Sequence, residues 1–322
     1  MRQIPLAAIK EAAESVYQAA IRTPLVRLDL PFRDAGAPPA EIYLKLELLQ
    51  PIGSFKIRGA WNAVRALSPE TLNSGVWTVS AGNAAQGVAF AARRAAAPCS
   101  VMVMDTAPQT KLRAIERLGA QIVFATYDEC WRTVEDHASP RMQGHFVHPF
   151  DDDRFIAGNA TAGLEILEDL PDVDTIIAPI GGGGLLAGIG AAARAVKPGV
   201  KIYAAEPETA APLATSIGRG EASYFDDWQA SFVDGAGGKS VLKTMWPLLK
   251  DVVDGSIVVS LDEVRQAMKR TAERVHVIAE GAAACAIAAA LSGKAGGGKI
   301  VAVVSGGNID LARFAALVEA CG

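Results

Sequence analysis

The sequence contains few cysteines, no surplus of positive charge and no metal-binding cysteine pair. Its four cysteines, Cys99, Cys130, Cys285 and Cys321, lie far apart and form no CxxC motif, which argues against a zinc site or a redox centre. Lys and Arg number 31 against 35 Asp and Glu, and no basic run would follow a nucleic-acid backbone. We therefore expect reduced, mostly buried thiols and no nucleic-acid partner.

Segments that would direct the chain to a membrane are also missing. The N-terminus mixes charges into a helical period and lacks the apolar core and cleavage site of a signal peptide. Residues 175–193 are uncharged, but Pro179 and six glycines make them too weakly apolar for a bilayer span. We expect a cytoplasmic protein without membrane contact, and 322 residues with 50% hydrophobic content predict two domains with a sizeable core.

Two runs of alternating strands and helices predict two α/β units with parallel sheets. The first run has apolar segments VWTV (76–79), SVMVM (100–104) and QIVFA (121–125), with helices at about 84–97 and 108–118. The second has TIIAPI (175–180), KIYAAE (201–206), VVDGSIVVS (252–260) and KIVAVVS (299–305), with one helix between the second and third of these. A polar, proline-rich loop separates two earlier strands, LVRL (25–28) and EIYLKLE (41–47), and HFVHPFDDD (145–153) is interpreted as a crossing between domains.

The stretch PIGSFKIRGA (51–60) places a lysine at a predicted helix start. Ser54 is expected to be the N-cap, with Phe55, Lys56 and Ile57 in the first turn. The positive end of the helix dipole disfavours the ammonium form of Lys56 and lowers its pKa, and neutral lysine amines form Schiff bases with carbonyl compounds. Taken alone, the stretch also fits a surface lysine whose stem packs past Phe55.

Four consecutive glycines, Gly181 to Gly184, follow an apolar strand and open an apolar helix. Glycines allow close approach of the backbone to an anion, and the helix N-terminus offers free amides, so a phosphate site is predicted. Gly182, Gly184 and Ala187 also satisfy GxGxxA, and Glu206 ends the next strand, where a ribose-binding acid would lie. A nicotinamide-dependent dehydrogenase is therefore an alternative, as is a structural role of the glycines in tight packing.

Two further loops also follow predicted strands. SAGNAAQG (80–87) lies at a helix start, where successive amides can bind a carboxylate and Asn83 could reach a ring hydroxyl. SGGN (305–308) places the Ser305 hydroxyl in the crevice where open α/β sheets bind ligands. Each loop alone is ordinary turn chemistry, but together with Lys56 the loops indicate one site.

Five segments, GSFKIRGA, SAGNAAQG, GGGGLLAG, AAEPE and SGGNID, resemble in order and spacing the pyridoxal-phosphate (PLP) enzymes of fold type II. The resemblance is to the threonine/serine dehydratase and serine racemase group and covers essentially the whole chain. It implies an α/β fold of two open, twisted, mostly parallel sheets flanked by helices, as in tryptophan synthase β. It further implies a large PLP-binding domain (1–74 plus 148–322), an inserted small domain (75–147) that closes over it, and a homodimer.

The resemblance also assigns residues to roles. Lys56 would bind the cofactor covalently, with Phe55 beside it. Asn83 would contact the phenolic oxygen, Gly181 to Gly184 the phosphate, and Ser305 the pyridine nitrogen. The residues that would hold the substrate carboxylate are Ser80, Ala81, Gly82, Asn83 and Ala84.

The implied reaction is α,β-elimination, which converts a β-hydroxy amino acid to a 2-oxo acid and ammonia. Lys56 would remove the Cα proton, and Lys56 or the cofactor phosphate would protonate the leaving hydroxyl. A hydroxyl such as Ser305 on the pyridine nitrogen moderates the electron sink and favours prompt elimination. Racemases of the group resemble one another in a serine where this chain has Ala81, so racemisation is the weaker alternative. Many threonine dehydratases have histidine at Ala84, and the smaller residue leaves room for bulkier substrates such as phenylserine.

Three remaining features concern metals and neighbours of the cofactor. Glu206 and the Ala210 carbonyl resemble the family's cation ligands, but Pro212 replaces a second carboxylate, so a monovalent cation fits as well as magnesium. His145 and His148 with Asp151 to Asp153 suggest a metal cluster without HExxH spacing, and the interdomain crossing explains them better. Glu280 is expected near the cofactor by resemblance, and VDGAGGKSV (233–241) departs from the family loop by its extra glycines.

Besides the PLP-dependent lyase and the nicotinamide-dependent dehydrogenase, the third hypothesis is a noncatalytic protein that binds a ligand in the same crevice.

Overall fold

Two sheets and their flanking helices form the chain in the computed structural model, which describes residues 2–29 and 39–320. The strands are β1 (Leu25–Arg27), β2 (Ala40–Lys45), β3 (Val76–Val79), β4 (Cys99–Met104), β5 (Gln121–Ala125), β6 (His145–Phe146), β7 (Thr175–Pro179), β8 (Lys201–Pro207), β9 (Gly255–Val259) and β10 (Gly298–Val303). The helices are α1 (Leu6–Val16), α2 (Lys56–Arg65), α3 (Pro69–Asn73), α4 (Asn83–Arg94), α5 (Gln109–Glu116), α6 (Tyr127–Asp136), α7 (Asp153–Asp169), α8 (Gly184–Val196), α9 (Pro212–Arg219), α10 (Trp246–Val252), α11 (Leu261–Val275), α12 (Gly281–Leu291) and α13 (Leu311–Glu319).

The larger sheet has the strand order β1-β2-β10-β7-β8-β9. Only β1 runs antiparallel to its neighbour among these described strands, and the other pairs are parallel. All five residues of β7 are buried, as expected for a central strand covered by helices on both faces. The prediction of mostly parallel sheets flanked by helices is confirmed.

The smaller sheet, with order β5-β4-β3-β6, is parallel throughout and uses only residues 76–146. The chain enters and leaves this unit at adjacent points, because the His145 amide donates to the Gly75 carbonyl at 2.9 Å. Gly75 and Gly144 both have positive φ, and a Cβ on Gly144 would lie 2.3 Å from the Gly75 oxygen. The two crossings of the chain between the sheets therefore lie side by side.

Several sequence-based expectations need correction. His145 and Phe146, expected to belong to the domain crossing, form β6, a strand of two residues that is too short to show a period. The single helix predicted between 206 and 252 is in fact two, α9 and α10, separated by an irregular loop. Val252, predicted to open a strand, closes α10.

The described cysteines fit the expectation of buried reduced thiols. Cys99, Cys130 and Cys285 are free and buried. Cys321, like most of the predicted proline-rich loop at 30–38, lies outside the described residues. None of the helices in the described part of the chain combines the length and apolarity that crossing a bilayer requires.

Candidate active site

A cavity of about 840 Å³ opens where three loops leave the carboxyl ends of β3, β7 and β10. This is the position at which open α/β sheets bind ligands. The structure brings together every residue predicted to bind the cofactor or the substrate carboxylate, and all of them line this cavity: Phe55, Lys56, Ser80, Ala81, Gly82, Asn83, Ala84, Gly181, Gly182, Gly183, Gly184 and Ser305.

Helix α2 begins at Lys56, and its N-cap is Phe55 rather than Ser54. Ser54 instead forms an antiparallel bridge to Gly306, and its buried Oγ has no hydrogen-bond partner among the described residues. The Phe55 amide donates to the Ser305 carbonyl at 3.0 Å. The predicted cap was wrong because a long-range contact with the Ser305 loop, invisible in local sequence, sets the helix start.

The Lys56 amine projects into the cavity and is not a surface group. Its Nζ donates to the Pro149 carbonyl oxygen at 2.6 Å and lies 5.2 Å and 5.3 Å from the ring centroids of Phe55 and Phe155. Burial lowers the pKa of Lys56 to about 7, because the charged form loses its hydration. The shift has the predicted direction, but desolvation is its cause, and the alternative of a solvated surface lysine is wrong.

A buried ion network anchors the helix that carries Lys56. The fully buried Arg58 donates from Nε to Glu47 at 2.7 Å and from Nη1 to Glu165 at 2.6 Å. Lys45 contacts the same Glu165 at 2.6 Å. This network could not be predicted from the sequence, since isolated charged residues are mostly found on protein surfaces.

Close packing against α7 also fixes α2. A Cβ on Gly59 would lie 2.3 Å from the Phe155 ring, and one on Gly158 would lie 2.4 Å from the Arg58 carbonyl oxygen. The backbones of the two helices therefore approach more closely than side chains would permit. The position of Lys56 is consequently determined by buried contacts on the helix faces behind it.

The glycine loop forms an anion cradle. A Cβ on Gly182 would lie 2.2 Å from the Phe150 ring, and one on Gly184 would lie 2.7 Å from the Phe150 carbonyl oxygen. Gly183 has φ +93° and is the N-cap of α8, and no side chain of the described residues caps that helix. The first amides of α8 are thus available to a phosphate, and the loop fits the PLP phosphate.

Asn83 is held in place by two other polar side chains. Its Nδ2 donates to Glu280 Oε1 at 2.8 Å, and Asn308 Nδ2 donates to Asn83 Oδ1 at 2.7 Å. Burial raises the pKa of Glu280 to about 7, and the negative charge of Asp234 adds to the rise. Glu280 was expected near the cofactor by resemblance. No role was predicted for Asn308, although Asn308 is the last residue of the SGGN motif.

Helix α4 presents a second set of amides to the cavity. Gly82 is its N-cap, and among the described residues no side chain caps it. The Ser80 hydroxyl accepts a hydrogen bond from the Gly82 amide at 3.1 Å and so shapes the turn. This arrangement suits a carboxylate at the helix start.

Glu206 does not lie in the cavity. Its two oxygens accept hydrogen bonds from the Leu213 and Ala214 amides, each at 2.8 Å, and from the Ser256 hydroxyl. Fully buried, it caps α9 and is not available to a ribose, so its role in the nicotinamide alternative is wrong. The cation site predicted at Glu206 and the Ala210 carbonyl stays a prediction, and the Glu206 oxygens already accept these three hydrogen bonds.

The histidine and aspartate cluster differs from the predicted one. The acceptor atoms of His137, His148 and Asp151 lie within 4.8 Å of one another, whereas His145 is not part of the group. His148 Nδ1 accepts the amides of Phe150 and Asp151, and its Nε2 bonds to the Val134 carbonyl oxygen at 3.1 Å. Both ring nitrogens are thus engaged by the backbone, and burial lowers the pKa of His148 to about 3. The cluster has a structural role where the unit built on the smaller sheet meets the unit built on the larger sheet.

Comparison with known proteins agrees with this site. A model of the pyridoxal-phosphate dependent enzyme family matches residues 16–306. The chain is 38% identical over 315 residues to an L-threonine ammonia-lyase of Thermotoga maritima, covering 96% of this chain and 76% of that protein. It is 36% identical over 324 residues to a catabolic L-threonine dehydratase of Staphylococcus aureus, covering 98% and 92%.

Solved structures show the same relationship. The processed threonine deaminase isoform 2 of Solanum lycopersicum superposes with a TM-score of 0.86 at 31% identity, covering 98% of this chain and 87% of that one. Maize serine racemase gives a TM-score of 0.85 at 30% identity, covering 99% and 98%. The chain belongs to the PLP-dependent enzymes of fold type II, in the threonine/serine dehydratase group.

Proposed function

We propose that the chain is a PLP-dependent ammonia-lyase that converts a β-hydroxy amino acid to a 2-oxo acid and ammonia. The observation that carries the proposal is the Lys56 amine, with a pKa lowered to about 7, in one cavity with two uncapped helix starts. One helix start suits a phosphate and the other a carboxylate. The named activity of the threonine ammonia-lyase relatives supports the same reaction.

The cofactor would be held by residues that already line the cavity. Gly181 to Gly184 and the first amides of α8 would bind its phosphate, Asn83 its phenolic oxygen and Ser305 its pyridine nitrogen. When bound, PLP supplies an aldehyde that captures amines and a ring that accepts the electron pair left at Cα. Phe55 and Phe150 line the same cavity, and the rings of Phe55 and Phe155 lie 5.2 Å and 5.3 Å from the Lys56 amine.

Lys56 is suited to move the proton in this reaction. An amine with a pKa near 7 is substantially neutral at physiological pH and can take the Cα proton as general base. The resulting ammonium can return a proton to the β-hydroxyl, so that water leaves instead of hydroxide. Hydrolysis of the dehydrated product then consumes one water and releases ammonia and the 2-oxo acid.

Threonine and serine are the first substrates to consider, because the relatives are named for threonine. The small Ala84 in a cavity of about 840 Å³ also supports a bulkier β-substituent such as the ring of phenylserine. Racemisation is a weaker candidate, since the Ala81 methyl cannot exchange a proton at the second face of Cα.

The domain organisation, the oligomeric state, the cellular location and the cation are proposed from the resemblance to the family. Residues 75–147 are a small domain that closes over the large domain, formed by 1–74 and 148–322. The enzyme is a cytoplasmic homodimer. A monovalent cation near Ala210, bound by backbone oxygens, stays a prediction to be tested.

An ammonia-release screen tests the function directly. Purified protein loaded with PLP is offered L- and D-serine, threonine, 3-hydroxyaspartate and phenylserine, and the products are also checked for change of chirality. We expect ammonia from at least one β-hydroxy amino acid and none from the Lys56→Ala variant. Release of ammonia by Lys56→Ala at the normal rate, or a PLP-loaded protein inactive on all of them, contradicts the proposal.

A further inference from the structure

The irregular segment between α9 and α10 contains a closed loop, residues 225–239, which we call the Ω-loop. Its base is pinned by the bridge of Tyr224 to Ser240 and by the Phe225 amide, which donates to the Lys239 carbonyl at 2.8 Å. Inside it, the Trp228 indole donates to the Gly237 carbonyl oxygen at 2.9 Å. The Ω-loop therefore has a fixed internal shape.

One side of the Ω-loop faces the cofactor cradle. A Cβ on Gly181 would lie 2.6 Å from the Gly235 carbonyl oxygen, so the two backbones are in contact. Phe232, Asp234 and Gly235 line the same cavity as Lys56. A displacement of this side would change the shape of the site that is proposed to hold the phosphate.

The other side of the Ω-loop contacts the unit built on the smaller sheet. Lys239 Nζ lies 4.4 Å from the ring centroid of Tyr127, the first residue of α6, and 4.4 Å from that of Trp228. Asp234 forms an ion pair with Lys111 of α5. Two helices of the unit built on the smaller sheet, α5 and α6, thus contact the Ω-loop through charged side chains.

We propose that these contacts form an interdomain clasp, consisting of Lys239 with Tyr127 and Trp228 and of the Lys111–Asp234 pair, and that Lys239 is a positioning residue. The clasp holds the unit that carries Ser80 to Asn83 over Lys56. It acts through the closed arrangement of the site, and Lys239 itself does not line the cavity. The inference rests on the proposed function only for its kinetic consequence.

The expected change in KM follows from the fraction of molecules that are closed before substrate binds. The clasp raises the fraction of ligand-free molecules in which both helix starts already face one site. Removing the Lys239 charge lowers the closed fraction, so the substrate must supply the closure free energy and its apparent affinity falls. A cation near two aromatic rings supports a change of about threefold to tenfold in the ratio of closed to open molecules, and KM should rise by up to the same factor. The kcat at saturating substrate should change little, because bound substrate restores closure.

The test compares PLP-loaded Lys239→Met, which keeps the aliphatic stem, with Lys239→Arg, which keeps the cation. The exposed Lys243 provides the matched control Lys243→Met. We expect a higher KM and faster amide hydrogen exchange in α6 for Lys239→Met alone. An unchanged KM together with unchanged exchange in Lys239→Met overturns the proposal.

A second variant approaches the clasp from the other unit. Tyr127→Leu removes the ring, and in the double variant with Lys239→Met the KM increase should be no larger than in Lys239→Met alone, which already removes that contact. Additive increases would mean that the two residues act independently and would overturn the clasp. If the protein turns over no β-hydroxy amino acid, the proposed function fails, and the exchange rates in α6 still decide whether the clasp exists.

Discussion

Asn83 donates a hydrogen bond to Glu280 at 2.8 Å, and this pair joins the start of α4 to the N-cap of α12 across the cavity. Glu280 is buried, and desolvation raises its pKa to about 7. The carboxyl group is therefore close to half protonated at neutral pH. In its neutral form it could also donate a hydrogen bond, which an ordinary carboxylate cannot do.

The stability of the cofactor-free protein should consequently depend on Glu280 between about pH 4.5 and 7. The folded state binds this proton more tightly than the unfolded state, so the contribution to stability is full below pH 4.5 and is lost as the pH rises to 7. The free energy of unfolding, relative to Glu280→Gln, should fall by roughly 3 kcal/mol across this window. Denaturant titrations at several pH values measure it, and a pH-independent difference would falsify the assignment.

The capture of PLP by cofactor-free protein should follow the protonation of Lys56. Only the neutral amine reacts with the aldehyde, so the capture rate should rise about tenfold per pH unit below pH 7 and level off above it. Absorbance reports the rate, and mass analysis of the Lys56 peptide after borohydride reduction reports the site. A profile that inflects near an ordinary lysine pKa of about 10 would show that the amine is solvated.

Gly182→Ala should weaken PLP binding by at least about tenfold. The new Cβ would lie 2.2 Å from the Phe150 ring, so the cradle must open before a phosphate can bind. Gly199→Ala is the control, since apart from Gly199 and its two chain neighbours no described atom lies within 4 Å of its Cβ position. The double variant Gly182→Ala, Phe150→Ala should recover part of the affinity. Equal affinities of the two alanine variants in a fluorescence titration would argue against a steric cradle.

Arg58→Met should destabilise the protein far more than removal of an exposed ion pair. It leaves the carboxylates of Glu47 and Glu165 buried with one cation fewer, which costs about 3–5 kcal/mol. Arg22→Met, which breaks exposed pairs with Glu168 and Asp169, should cost about 1 kcal/mol or less. Thermal melts of both variants test the contrast, and comparable losses of melting temperature would contradict a stabilising buried network.

The residues that could be predicted from sequence are those carried by local patterns. Lys56, Asn83, the glycines and Ser305 each stand in a short motif. The glycines and Ser305 follow β7 and β10 of the larger sheet, Asn83 follows β3 of the smaller sheet, and Lys56 begins a helix. The strand of residues 175–179 could be predicted because a central parallel strand is covered on both faces and forms a nearly continuous apolar run.

Features that depend on distant parts of the chain could not be predicted in this way. Ser54 has the residue type of an N-cap, but its pairing with Gly306 removes it from that role. Arg58 and Glu165 lie 107 positions apart, and neither position is distinctive in sequence. The partners of Lys239 likewise come from two different units, which only the folded arrangement places together.

The contact of Gly75 with His145 has an architectural consequence. Residues 76–144 lie between Gly75 and His145, which are hydrogen-bonded to each other. Recombination could therefore exchange the whole segment without breaking any hydrogen bond of the six-stranded sheet. The exchanged segment would have to retain a small residue at Gly87, where a Cβ would lie 3.0 Å from the Lys56 carbonyl oxygen. Such an exchange would replace Ser80 to Ala84, including Asn83, while Lys56, the glycine loop and Ser305 would stay in place.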